Sequence, residues 1–110
     1  MPDVVIVGSV ALDNVRTPFG KAENALGGSA TYASVAASYF AKPGIVAVVG
    51  NDFPKKHVEL LEKKKVDLQG LKYVHGKTFR WEGYYEFDLN QAHTISTELN
   101  VFSDFNPVLP

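Results

Sequence analysis

The chain has 110 residues, 45% hydrophobic and 21% charged, the balance of one globular domain rather than of a disordered chain, a collagen or a coiled coil. Its 11 basic residues against 12 acidic ones give a net charge of −1, so no global positive field draws it to nucleic acid or to an anionic membrane. The absence of cysteine excludes disulfides and thiolate metal sites and fits a reducing cytoplasm, and no segment reads as a leader or a membrane span.

Val4 to Val7 is an unbroken run of β-branched residues ending at Gly8, which predicts a parallel strand buried on both faces. Asp13 to Ala25, rich in Asp, Asn, Pro and Gly, reads as loop or irregular edge structure. After Gly27-Gly28, Ser29 is expected to cap a helix whose inward face carries Tyr32, Ala33, Ala36, Ala37 and Phe40 and which stops before Pro43. Ile45 to Val49 predicts a second buried strand. Gly50-Asn51-Asp52 then turns into a helix with Pro54 in its first turn, Val58, Leu61 and Val66 inward, and a lysine-rich solvent face holding a Glu59–Lys63 pair.

From Thr78 the period changes to two. Phe79, Trp81, Tyr85 and Phe87 fall on one side of a strand, and Thr78, Arg80, Glu82, Tyr84, Glu86 and Asp88 on the other. A turn at Asn90-Gln91 leads into a partner strand over His93 to Leu99, and Val101 to Phe105 reads as one more strand. The expected fold class is therefore α/β: a parallel sheet flanked by helices, with an antiparallel β appendage. Residues 1–75 form the α/β part, with 13–25 as an edge or lid element; 76–100 form the hairpin and 101–110 return toward the core. Two core strands make a thin core, and the aromatic side of the hairpin calls for a cover from further polypeptide, a second copy or a ligand.

In such folds ligands bind beyond the carboxyl ends of the parallel strands, where Gly8 to Asp13, Gly27-Gly28 and Gly50-Asn51-Asp52 fall. Asp13 ends a G-S-x-x-x-D run. Its carboxylate either accepts hydrogen bonds from vicinal hydroxyls or caps the loop. The Gly27-Gly28 pair admits a close ligand or a hinge, or is a tight turn. Arg80 and Trp81 are either ligand contacts or hairpin residues. Neither a dinucleotide fingerprint nor a Walker-type loop occurs, the three histidines lack metal-ligand spacing, and no serine sits in a nucleophile elbow. No metal site is expected.

G-S-V-A-L-D at Gly8–Asp13, L-G-G-S-A at Leu26–Ala30, V-V-G-N-D at Val48–Asp52 and the following hairpin, in that order and spacing, resemble the N-terminal portion of ribokinase-like (PfkB) carbohydrate kinases. The resemblance covers essentially the whole chain. It implies a substrate-binding α/β domain with a β lid, acting in ATP-dependent, Mg²⁺-assisted phosphorylation of a sugar hydroxyl, with a nucleoside as the related alternative substrate. By the same resemblance Asp13, Gly27, Gly28 and Asn51 match the family's substrate side and the lid can pair two subunits into a homodimer; Tyr32, at a position where the family often has Asn, and Arg80 and Trp81 on the hairpin complete the expected substrate-binding set. Ala11 and Tyr32 stand where many ribokinases carry Asn, which points away from ribose itself. The family's G-A-G-D motif, which holds the catalytic aspartate, is absent. The resemblance thus implies an N-terminal fragment without catalytic residues of its own, inactive alone. A non-catalytic sugar- or nucleoside-binding module and a lid that only dimerises are the alternatives.

Overall fold

A computed structural model describes residues 2–109. In chain order the elements are β1 (Val4–Val7), β2 (Ala11–Thr17), β3 (Gly20–Gly27), α1 (Ser29–Ala37), β4 (Pro43–Gly50), α2 (Lys55–Lys63), β5 (Asp67–Val74), β6 (Phe79–Tyr85), β7 (Ala92–Glu98) and a short 3₁₀ helix over Asn100–Asp104. They form two sheets. One is parallel, in the order β1-β4-β5, and the other is mixed, in the order β3-β2-β6-β7. Within the mixed sheet β2–β3 and β6–β7 are antiparallel hairpins, joined by the parallel pair β2–β6. The α/β class is as expected, but the hairpin of 78–99 is half of a larger sheet.

β4 is the centre of the parallel sheet and is buried along its whole length, as its β-branched run dictates. β1 has a similar run but lies at the edge, and its valines are exposed: Val4 by 42%, Val7 by 47%. Burial on both faces needs layers packed above and below, and at the edge β1, paired among the described residues with β4 alone, is not so covered. β5 carries no hydrophobic alternation and was not legible beforehand. Its Gly70 sits where a Cβ would strike the carbonyl oxygen of Ile45, so glycine is what lets β5 lie against β4 there.

The core gathers Val10, Leu12, Ala30, Ile45, Ala47, Val49, Phe53, Leu61, Val66 and Leu71 from both sheets and both helices. Leu61 is fully buried on the inner face of α2, where the 3.6-residue period places it. Leu61→Ala is expected to cost about 3 kcal/mol, read as a lower urea midpoint at unchanged slope. The lysine-rich outer face of α2 is solvated as expected, but Glu59 and Lys63 form no ion pair.

Four local readings are corrected. Of the two readings for residues 13–25, loop falls and irregular edge structure stands: β2 and β3 form a bulged hairpin with β3 at the edge of the mixed sheet, its polar residues suited to solvated faces. Helix α1 buries Ala30, Thr31 and Ser34, and leaves Tyr32 exposed by 63% and Phe40, beyond its end, by 92%. With Ala, Ser and Thr on both sides, its polarity cannot select a face, and the smallest side chains go against the sheet. Gly28, not Ser29, occupies the cap position, and the capping hydroxyl comes from a distant residue: Ser9 Oγ accepts the Ser29 N–H at 3.0 Å. Residues 101–105 lie mostly in the 3₁₀ helix, where Phe102 stacks between Phe79 and Phe105 at centroid distances of 5.3 and 5.5 Å.

Candidate functional site

β1 and β4 end at Val7 and Gly50, so the segments Gly8-Ser9 and Gly50-Asn51-Asp52 lie at one end of the parallel sheet. Gly28 closes on the first of them. Its φ is +96°, and a Cβ there would lie 2.5 Å from the Ser9 carbonyl oxygen and 2.9 Å from the Ala11 nitrogen. The Ala30 N–H donates to Ser9 O at 2.9 Å, and the Ser9 N–H donates to Ser29 Oγ at 3.2 Å. The start of α1 is thereby stitched to the turn after β1. This brings the first two glycine motifs of the sequence into direct contact.

Asp13 lies on β2, directly opposite Ala25 of β3 and Trp81 of β6. Residues in such register share a face of the sheet, so the carboxylate and the indole point the same way. A Cβ on Gly27 would collide with the carboxylate, which therefore lies against the bare glycine backbone. No hydrogen bond from the described residues reaches the Asp13 carboxylate, and burial pushes its pKa above the ordinary carboxylate value. The Trp81 ring lies over Gly83, and its Nε1–H donates to Thr94 Oγ1 at 3.1 Å. Tyr32 stands nearby on the exposed face of α1. Burial, then the charges of Asp13 and Tyr85, push its hydroxyl pKa up.

The structure thus brings together Asp13, Gly27, Gly28, Tyr32 and Trp81, and adds Tyr85. That tyrosine follows Trp81 by four residues on β6 and shares its face. The sequence put Tyr85 on the aromatic side of the hairpin, but nothing local tied it to Asp13. Asn51 is exposed at the end of β4, with its N–H donating to Gly76 O at 3.1 Å.

Arg80, although adjacent to Trp81, points to the other face of the sheet, as the two-residue period requires. Its Nη2 lies 3.2 Å from Asp52 Oδ2, and its Nη1 donates to Asn24 Oδ1. Asp52 also accepts the Thr78 N–H at 2.8 Å and the Thr78 hydroxyl at 2.6 Å. Thr78, on the side of the strand opposite the aromatic residues, is fully buried beneath these bonds.

Burial raises the Asp52 pKa, but the Thr78 hydrogen bonds and Arg80 outweigh it and hold the carboxyl below its ordinary value. A depressed carboxylate stabilises the fold above the unfolded-state value of about 3.9, and that contribution fades as pH falls through the folded-state value. Asp52→Asn should therefore lower stability at neutral pH and flatten the acid limb of a urea-midpoint profile. A limb as steep as in the parent chain would contradict this.

A cavity of about 400 Å³ lies elsewhere, between the parallel sheet and residues 105–109, and touches none of these side chains. Among the described residues no three His, Asp or Glu side chains cluster to hold a metal ion, and no helix is long and apolar enough to cross a membrane.

No family model matches the sequence. A cytidine kinase from Thermococcus kodakarensis is 35% identical over 89 residues, covering 80% of this chain and 32% of the kinase. Among solved structures, a Burkholderia thailandensis nucleoside kinase in complex with inosine is similar at a TM-score of 0.80 with 13% identity. That match covers 92% of this chain and 38% of the kinase. A ribokinase from Cryptococcus neoformans var. grubii in complex with ADP is similar at 0.70 with 22% identity, over 84% of this chain and 33% of that enzyme. The chain spans about a third of the length of the relatives it matches. The likeness read from the glycine and aspartate motifs thus extends to the three-dimensional structure: this chain has the ribokinase-like fold and is similar to kinases of the ribokinase-like (PfkB) family.

Proposed function

We propose that this chain is the substrate-binding and lid portion of an ATP-dependent kinase that phosphorylates a hydroxyl of a nucleoside or a sugar, with a nucleoside as the preferred acceptor. One observation carries the reading: the half-buried Asp13 carboxylate has no hydrogen-bond partner among the described residues and shares a sheet face with Trp81. An ionised carboxylate held without donors is suited to two vicinal hydroxyls, which supply two charge-assisted hydrogen bonds. The aromatic faces of Trp81 and Tyr85 offer flat apolar surface for a base, which a free sugar would leave uncovered. The curated relative that acts on cytidine and the nucleoside kinase solved with inosine support the nucleoside over the sugar expected first.

Asp13 then anchors the acceptor, Gly27 and Gly28 let it approach the backbone, and the aromatic residues orient it and exclude water. In phosphoryl transfer this is the positioning contribution. The general base, the ATP site and the Mg²⁺ ligands fall to residues outside these 110, and the chain alone binds acceptor without transferring phosphate. We place it in the cytoplasm, with no nucleic-acid partner.

Calorimetric titration of the chain with cytidine, inosine and ribose tests the proposal. Saturable nucleoside binding is expected, with ribose at least about tenfold weaker, a difference of about 1.4 kcal/mol. Equal affinity for ribose would return the assignment to a sugar, and no binding by any of the three would remove it.

A second reading, pairing of two chains through the lid, is favoured by Phe19 and Phe87. These residues are 77% and 81% exposed and meet edge-to-face at 6.2 Å at the tip of the mixed sheet. Sedimentation should then show a dimer that Phe87→Ser weakens, and a monomer at all concentrations would exclude it.

A further inference from the structure

The two sheets are joined covalently by the turn after β1, by Gly27-Gly28 and by the segment between β5 and β6. Away from these crossings and from the shared apolar core, two polar side chains of the α/β unit, among the described residues, tie into the mixed sheet by hydrogen bonds, and both converge on Asn24. Asp52 reaches it through Arg80, whose guanidinium bonds the Asp52 carboxylate and the Asn24 side chain together. His57 reaches it directly, its Nε2 lying 2.8 Å from Asn24 O. A carbonyl only accepts, so Nε2 carries the proton in this contact. Asn14 Oδ1 accepts the Asn24 N–H at 2.9 Å. The backbone N–H, the carbonyl and the side chain of Asn24 are therefore each held by a different element.

Asn24 also has unusual geometry. Its φ is +51°, a left-handed conformation that asparagine tolerates, and it lies in a bulge. Asp13 pairs with Ala25 and Val15 with Ala22, so Glu23 and Asn24 stand opposite the single residue Asn14. Asp13 borders that bulge, and a bulge re-aims the side chains beside it. Whatever holds Asn24 thus bears on the direction of the Asp13 carboxylate. The Arg80–Asp52 pair is only 27% exposed on each side, and Thr78 supplies further donors to Asp52, so the tie is better shielded than an ordinary surface ion pair.

We propose that Arg80 and Asp52, acting through Asn24, are positioning residues that latch the mixed sheet at a fixed angle over the end of the parallel sheet and so aim Asp13. This role for Arg80 replaces direct substrate contact. The latch is a property of the protein without ligand, while its consequence for affinity rests on the nucleoside reading above.

The chain contains no cysteine, so two can be introduced for spin labels without competition. Lys21→Cys on β3 and Lys56→Cys on α2 are both exposed positions. Electron–electron distance measurements on the labelled chain should give one narrow distribution. Arg80→Met keeps an unbranched apolar stem and removes the guanidinium with both of its hydrogen bonds. It should broaden the distribution, Asp52→Asn should do the same, and the double variant should add little because the two share one tie. Arg80→Lys, which cannot span both partners, should fall between.

Hydrogen exchange of the β4 amides should stay unchanged in Arg80→Met, which separates a loosened latch from general unfolding. Nucleoside affinity should fall about tenfold. An unchanged narrow distribution in Arg80→Met would overturn the latch, as would broadening accompanied by fast exchange throughout β4. If the distribution broadens as expected while the parent chain binds no nucleoside, the latch stands and the substrate reading falls.

Discussion

Asp13→Asn should abolish most nucleoside binding and at the same time make the protein more stable at neutral pH. Hydrogen bonds to a charged acceptor are worth about 1.5–3 kcal/mol each, so losing the charge under two hydroxyls should weaken binding about a hundredfold or more. The stability change has the opposite sign because burial raises the Asp13 pKa and no described residue donates to its carboxylate. A carboxylate with a raised pKa penalises the fold fully above its folded-state value. The penalty disappears below the unfolded-state value of about 3.9, where both states are protonated. Asp13→Asn should therefore raise the thermal midpoint at pH 7 and leave it nearly unchanged at pH 3. A residue that merely caps a loop would behave otherwise: its removal would lower the midpoint and leave ligands unaffected.

Gly28→Val is expected to have the largest effect on folding of any single change in the site. The position has a φ of +96°, which β-branched residues essentially do not adopt. Its Cβ would also press on Ser9 O, Ser9 C and Ala11 N, all backbone atoms that cannot rotate away. Strain of this kind costs about 1–3 kcal/mol, and overpacking adds a similar amount, so a loss of about 4 kcal/mol is expected. Against a total of about 5–15 kcal/mol, this removes roughly a quarter to four fifths of the stability. Urea titration followed by circular dichroism measures it. Gly27→Ala provides the contrast, because its Cβ would meet the Asp13 side chain, which can turn aside. That variant should stay folded and lose ligand. A Gly28→Val protein as stable as the parent would mean that the turn after β1 does not rest on the glycine as described.

These two positions also show what could be read before the structure. That the segments of Asp13, Gly27 and Gly28 gather in one place was legible because each motif falls at the end or start of a predicted element, and backbone contacts together with the Ser9 and Ser29 hydroxyls join them. β4 and α2 were legible because their patterns are strong and uninterrupted. The failures share one cause, dependence on partners distant in the chain. β1 looks like a central strand until its missing neighbour is known. The face of α1 is chosen by sheet contact among residues of similar size and polarity. Ser9, twenty positions away, supplies the cap for Ser29. The strands of 13–25 were hidden by turn-forming residues that turned out to serve a bulge, with Asn24 at its left-handed position. Arg80 and Trp81 carry the clearest lesson. The two-residue period already set them on opposite sides of the strand; what it could not supply were their partners, Asp13 in register with Trp81 and Asp52 bonded to Arg80.

Trp81 is the single tryptophan of the chain, so its emission reports on the face that also carries Asp13 without interference from any other indole. Titrating the protein with cytidine while following this fluorescence is the most direct test of the central claim. A saturable change in intensity or wavelength is expected, shared by inosine, weak with ribose and absent in Asp13→Asn. Emission that stays constant up to millimolar nucleoside, or that changes equally in Asp13→Asn, would contradict the assignment of this face as the acceptor site.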